Sequence, residues 1–103
     1  MADNGPATEA LAIIDANVAR YRHLLQTPLD ADARQRVSSL LSEAEATRTR
    51  TLKVARLRRE AAEYLQRARA TFDLPEKKAL AVRALERAQR AESLTREPVH
   101  DPE

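Results

Sequence analysis

A basic stretch in the middle of the chain carries the residues whose types and spacing could do chemistry. Residues 47–59 read TRTRTLKVARLRR, with six Arg or Lys residues and no acid. If the stretch is helical, four of its cations fall within about 140° of one another, on the side away from the apolar residues. Such a row could bind phosphates or the carboxylates of a partner protein. The candidate partner-binding residues are Arg48, Lys53, Arg56 and Arg59.

Three features of this stretch favour protein contact over nucleic-acid binding. Glu60 and Glu63 lie one turn beyond Arg56 and Arg59, so pairs within the helix could neutralise part of the row. No aromatic residue lies within 47–59 to stack on bases, and no helix-turn-helix turn is visible. We expect contact with another protein or a second copy, with nucleic-acid binding by residues 48–59 as the alternative. A further alternative is a solvated helix face without a partner.

Elsewhere the sequence lacks the patterns that catalysis or metal binding requires. His23 and His100 have no partner at metal-ligand spacing, and the chain has no cysteine. Gly5 is the only glycine, which excludes a glycine-rich phosphate loop, and no serine lies in a nucleophile turn. We predict that the protein is not an enzyme, and that it uses no cofactor, metal or small-molecule substrate.

Composition predicts the class of fold. Of the 103 residues, 33% are charged and 43% hydrophobic, mostly Ala, Leu and Val, and such residues favour helices throughout. We expect an all-α fold in a single domain, 1–103, with frayed tails at 1–7 and 97–103. No apolar run approaches the roughly 20 residues that cross a bilayer, and the first residues lack a secretory pattern. We therefore expect a cytoplasmic protein that does not bind membranes.

Local signals place the first and last helices. Apolar residues recur every three or four positions over residues 8–26, which predicts an amphipathic helix. The sequence TPLD then predicts a new helix, with Thr27 as its cap and Pro28 at its first position. DLPE repeats the pattern, with Asp73 as the cap of a last helix over about 74–96. The apolar face of that helix is predicted to comprise Leu80, Ala81, Ala84, Leu85, Ala88 and Ala91.

Between these starts the chain has neither proline nor glycine, so the central segment allows two arrangements. One continuous helix over about 29–72 would be shared by two helical hairpins. A break near 45–51, where three threonines weaken the helix, would instead allow a four-helix bundle. In either case the alanine-rich faces bury little surface, and we expect a homodimer that pairs by coiled-coil-like helix contacts.

One segment resembles a known group of proteins. Residues 17–46 contain NVARYRHLLQT followed by DADARQRVSSLLSEAEA, which is similar to an element of very small bacterial helical-hairpin proteins of unknown function. The resemblance covers under a third of the chain, and SEAEA departs from the usual pair of adjacent glutamates. It implies a helical hairpin and no mechanism.

Overall fold

The computed structural model describes residues 6–96, with side chains from residue 8 onward, and these residues form an all-α fold. Three helices follow one another: α1 (Pro6–Leu25), α2 (Ala31–Ala70) and α3 (Leu74–Arg96). No strand occurs between residues 6 and 96. The prediction of an all-α fold is confirmed. Ala, Leu, Arg and Glu, which lose the least free energy on entering a helix, make up most of α2 and α3.

The long central helix is continuous. Residues 45–51 are helical, so α2 extends over 40 residues without the break on which the four-helix alternative depends. The threonines at 47, 49 and 51 are therefore tolerated inside the helix, as their modest propensity allows. The prediction of a helix over about 29–72 is confirmed, with observed bounds of Ala31–Ala70.

The start of α2 differs from its prediction. Asp30 is the cap: its Oδ1 accepts a hydrogen bond from the Ala33 amide at 2.8 Å, and its carbonyl accepts one from the Arg34 amide at 2.9 Å. The Thr27 hydroxyl instead donates to the Leu24 carbonyl at 2.7 Å, and so closes α1. The prediction of Thr27 as the cap and Pro28 as the first helical residue was wrong, because Asp30 offers a carboxylate cap three residues later.

The start of α3 agrees with its prediction. Asp73 Oδ2 accepts a hydrogen bond from the Glu76 amide at 3.0 Å, and the Asp73 carbonyl accepts one from the Lys77 amide at 2.8 Å. Asp73 therefore caps the helix, and Pro75 lies in the first turn, where its missing amide hydrogen costs nothing. The predicted span of 74–96 is the observed one.

The chain divides into two compact units at Thr51 and Leu52. In the first, α1 packs on the beginning of α2 and Val18 is the buried side chain among those described. In the second, the rest of α2 packs on α3 through a small core. The predicted tails fall mostly outside the described residues, at 1–5 and 97–103, whereas Pro6 and Ala7 belong to α1. The core of the second unit consists of Leu57, Ala61, Ala68, Leu80, Ala84 and Ala91.

Candidate interaction surfaces

Arg48, the first of the predicted partner-binding residues, lies in the first unit and has an acidic partner. Its Nε donates a hydrogen bond to Asp15 Oδ1 on α1 at 2.7 Å, with about half of each side chain exposed. One turn earlier on α2, Glu45 accepts a hydrogen bond from Arg22 of α1 at 2.9 Å. The charge of Arg48 is therefore compensated within its own unit.

These two ion pairs border an open groove between α1 and α2. Its volume is about 550 Å³. Two arginines and two acids in the lining balance in charge, and each is already engaged across the groove. The arrangement fastens α1 to α2 and offers no excess charge to a ligand. The lining residues are Asp15, Val18, Ala19, Arg22, Glu45, Arg48 and Thr49.

The other three predicted residues lie in the second unit. Lys53 is half-buried, whereas Arg56 and Arg59 are exposed. Among residues 6–96, none of these three forms an ion pair. The expectation that Glu60 and Glu63 would neutralise Arg56 and Arg59 was therefore wrong for this part of the chain. Arg56 and Arg59 remain two exposed cations on one side of α2.

Glu60 is engaged with α3 instead. Its Oε1 accepts a hydrogen bond from Arg87 Nε at 3.1 Å, and both side chains are partly buried. The Arg87 guanidinium also lies 5.4 Å from the centroid of the Tyr64 ring, within the range of a cation–π contact. Arg67 lies 5.5 Å from the same ring. Arg87 thus makes two polar contacts to α2 from the packed side of α3.

Sequence reasoning missed Arg87, although a signal was present. The packed positions Leu80, Ala84 and Ala91 follow a spacing of four and seven residues. Position 87 completes that series between 84 and 91, and it faces the same neighbour because residues three and four apart share a helix face. Arg87 can occupy this position because its aliphatic stem packs while its guanidinium reaches Glu60.

The predicted apolar face of α3 is only half correct. Leu80, Ala84 and Ala91 are buried, as expected. Ala81, Leu85 and Ala88 are exposed, because they lie about 90° around the helix from the buried three. Leu94, which the prediction did not include, is half-buried on the packed side.

Large apolar side chains of the second unit remain uncovered. Phe72 lies in the turn after α2 ends and is fully exposed. Three large apolar side chains of α3 are also more than half exposed. The exposed fractions are 101% for Phe72, 67% for Leu74, 54% for Val82 and 56% for Leu85.

His23, the histidine within the described part of the chain, is exposed in the last turn of α1. No helix between residues 6 and 96 combines the length and apolarity needed to cross a membrane. The resemblance of residues 17–46 to small bacterial hairpin proteins stays a prediction. Comparison of the chain with protein-family models, with characterised proteins and with solved structures finds no match.

Proposed function

We propose that the protein is a non-enzymatic helical interaction module that associates with a second copy of itself. The observation that carries the proposal is the exposure of Phe72, Leu74, Val82 and Leu85 on one small unit. Single exposed apolar residues are ordinary on protein surfaces. Four large ones within a 14-residue segment of a unit of fewer than 50 residues form a concentration typical of an interaction surface.

The composition of the core supports this proposal. Four of the six buried side chains in the second unit are alanines, which contribute little apolar area. Fully burying a Leu, Val or Phe side chain stabilises a fold by about 1.5–3 kcal/mol, several times the value for one methyl group. Much of the hydrophobic free energy available to this unit is therefore still unused in the isolated chain. Association through the exposed side chains would use it.

A concentration series of sedimentation equilibrium measurements tests the proposal. We expect the apparent mass to rise from 11.6 kDa towards about twice that value, with a midpoint in the micromolar range or below. A mass that stays at 11.6 kDa up to millimolar concentration would contradict self-association.

The chain has no cysteine, which fits a reducing compartment, and we propose a cytoplasmic location.

Nucleic-acid binding is the second candidate, and the exposure of Arg56 and Arg59 favours it. Phosphate contacts release counterions, so the affinity for a DNA duplex or single-stranded RNA should fall steeply with salt. Replacing both arginines with glutamine should then reduce that slope by about two. Replacing Arg83 and Arg90, two exposed arginines of α3, is the matched control. Equal slopes for the two double variants and the unaltered protein would exclude this candidate.

A further inference from the structure

The exposed side of α3 carries an ordered seam. Its residues recur with alternating spacings of four and three, which is the repeat by which two helices pack along their length. All six side chains are exposed, and none belongs to the face that packs on α2. We call this set the α3 seam. It comprises Leu74, Lys78, Ala81, Leu85, Ala88 and Glu92.

The two charged residues of the α3 seam are placed symmetrically about Leu85. Leu85 is the midpoint of α3, which spans Leu74–Arg96. Lys78 lies seven residues before it and Glu92 seven residues after it, so opposite charges stand at equal distances from the centre. A two-fold axis through Leu85 would therefore overlap the helix with an antiparallel copy along all 23 residues.

We propose that the α3 seam pairs with the α3 seam of a second copy, antiparallel and with the two-fold axis at Leu85. The proposal rests on the self-association argued above and assigns it a surface. The two copies of Leu85 meet at the centre. Lys78 faces Glu92 of the partner subunit at both ends of the pair. Ala81 and Ala88 on either side of the centre let the two helices approach closely, because their side chains are short.

The charges select the antiparallel arrangement over the parallel one. In a parallel pair with equal register, Lys78 would face Lys78 of the partner subunit. Glu92 would likewise face Glu92 of the partner subunit. Like charges held opposite each other destabilise a helix pair. In the antiparallel pair both contacts join opposite charges, which fixes the register as well as the direction.

Glu92 has an existing partner that the pairing must accommodate. Its Oε2 accepts a hydrogen bond from Arg96 Nη2 at 2.9 Å, one turn further along α3, with both side chains mostly exposed. An exposed pair of this kind contributes little to stability. A carboxylate also has two oxygens, so Glu92 can keep Arg96 and still accept a hydrogen bond from the partner's Lys78.

Charge reversal tests the arrangement directly. Lys78→Glu places two acids opposite each other at both ends of the antiparallel pair, and we expect the dissociation constant of the dimer to rise about tenfold. Adding Glu92→Lys in the same chain exchanges the two charges and should restore the original dissociation constant. In a parallel pair neither change would matter, since like charges already face each other there. An unchanged constant for Lys78→Glu in a dimeric protein would overturn the proposal.

Leu85→Glu provides a second, stronger test. Two carboxylates at the two-fold axis should raise the dissociation constant about a hundredfold or more. The matched control is Leu65→Glu on α2, because Leu65 is also exposed but lies outside the α3 seam. Circular dichroism on each variant checks the helix content. If Leu85→Glu does not fold, the variant that combines Lys78→Glu with Glu92→Lys provides the test of the pairing.

The outcomes separate this inference from the proposed function. A protein that dimerises equally well with and without these changes associates through another surface. That result overturns the pairing of the α3 seams but not the proposed self-association. A protein that stays monomeric at all concentrations overturns both. Loss of dimer in Leu85→Glu and Lys78→Glu, retention in Leu65→Glu, and recovery in the charge-exchanged variant are the expected results.

Discussion

Arg87 Nε of α3 donates a hydrogen bond to Glu60 Oε1 of α2 at 3.1 Å, and this contact assigns Glu60 to the packed face of the second unit. The same bond engages one oxygen of the carboxylate that sequence spacing would give to Arg56. A helix-to-helix contact has therefore replaced one within the helix. The replacement leaves Arg56 exposed while it ties α3 to α2.

The Arg87–Glu60 contact should contribute modestly to stability. Each side chain is slightly more than a third exposed, at 35% for Arg87 and 38% for Glu60, so solvent screens the pair. A double-mutant cycle with Arg87→Gln and Glu60→Gln, followed by urea unfolding, should give a coupling energy of about 0.5–1 kcal/mol. Strictly additive effects of the two changes would show that the contact contributes nothing.

Capping by Asp73 should be measurable on its own. Asp73→Ala removes the acceptor for the Glu76 amide, and we expect the free energy of unfolding to fall by about 1 kcal/mol. Asp73→Asn is the matched control, because asparagine caps a helix about as well as aspartate. If both substitutions destabilise the protein equally, the negative charge and not the hydrogen bond holds the start of α3.

Substitution of Ala84 should disrupt the second unit. Ala84 is buried against α2, and Ala84→Glu would place a charge in that contact without a partner, at a cost of about 3 kcal/mol or more. Ala79→Glu introduces the same residue at an exposed position of the same helix and should change the free energy of unfolding by less than about 0.5 kcal/mol. Thermal unfolding followed by circular dichroism compares the two, and similar melting temperatures would contradict the packing described here.

Local signals explain why parts of the fold could be predicted from the sequence. The start of α3 was predictable because Asp73 and Pro75 both act within one turn. The start of α2 was not, because Thr27 and Asp30 are both good caps, and only the tertiary arrangement decides between them. Arg34 adds to that arrangement by donating hydrogen bonds to the carbonyls of Leu25 at 2.9 Å and Thr27 at 3.3 Å.

The packed face of α3 could be predicted only in part. An alanine-rich helix offers two adjacent apolar stripes, and periodicity alone does not say which of them meets α2. The structure selects the stripe that contains Ala84 and leaves the one that contains Leu85 exposed. The contacts on that side include the Arg87–Glu60 bond, which joins residues 27 apart in the chain and has no local signature. The sequence also could not predict that Arg48, unlike the other three candidate partner-binding residues, has an ion-pair partner in the described part of the chain. That partner, Asp15, is 33 residues away in the chain.

Replacement with glutamine should lower the free energy of unfolding at Arg48 but not at Arg56 and Arg59. Arg48→Gln removes the hydrogen bond to Asp15, and because both side chains are about half exposed we expect a loss of roughly 0.5 kcal/mol in the free energy of unfolding. Arg56→Gln and Arg59→Gln together should leave stability nearly unchanged, because neither arginine has an ion-pair partner among residues 6–96 and glutamine suits a helix about as well.

Asp15→Asn provides the control for that comparison. It removes the same ion pair as Arg48→Gln from the opposite side, so the two variants should be destabilised to a similar extent and their combination should cost little more than either alone. Urea unfolding gives the free energy of unfolding of the four variants: Arg48→Gln, Asp15→Asn, their combination, and the Arg56 and Arg59 double variant. If the Arg56 and Arg59 double variant unfolds most easily instead, these two arginines are structural residues, and neither a partner protein nor a nucleic acid needs to be invoked to explain them.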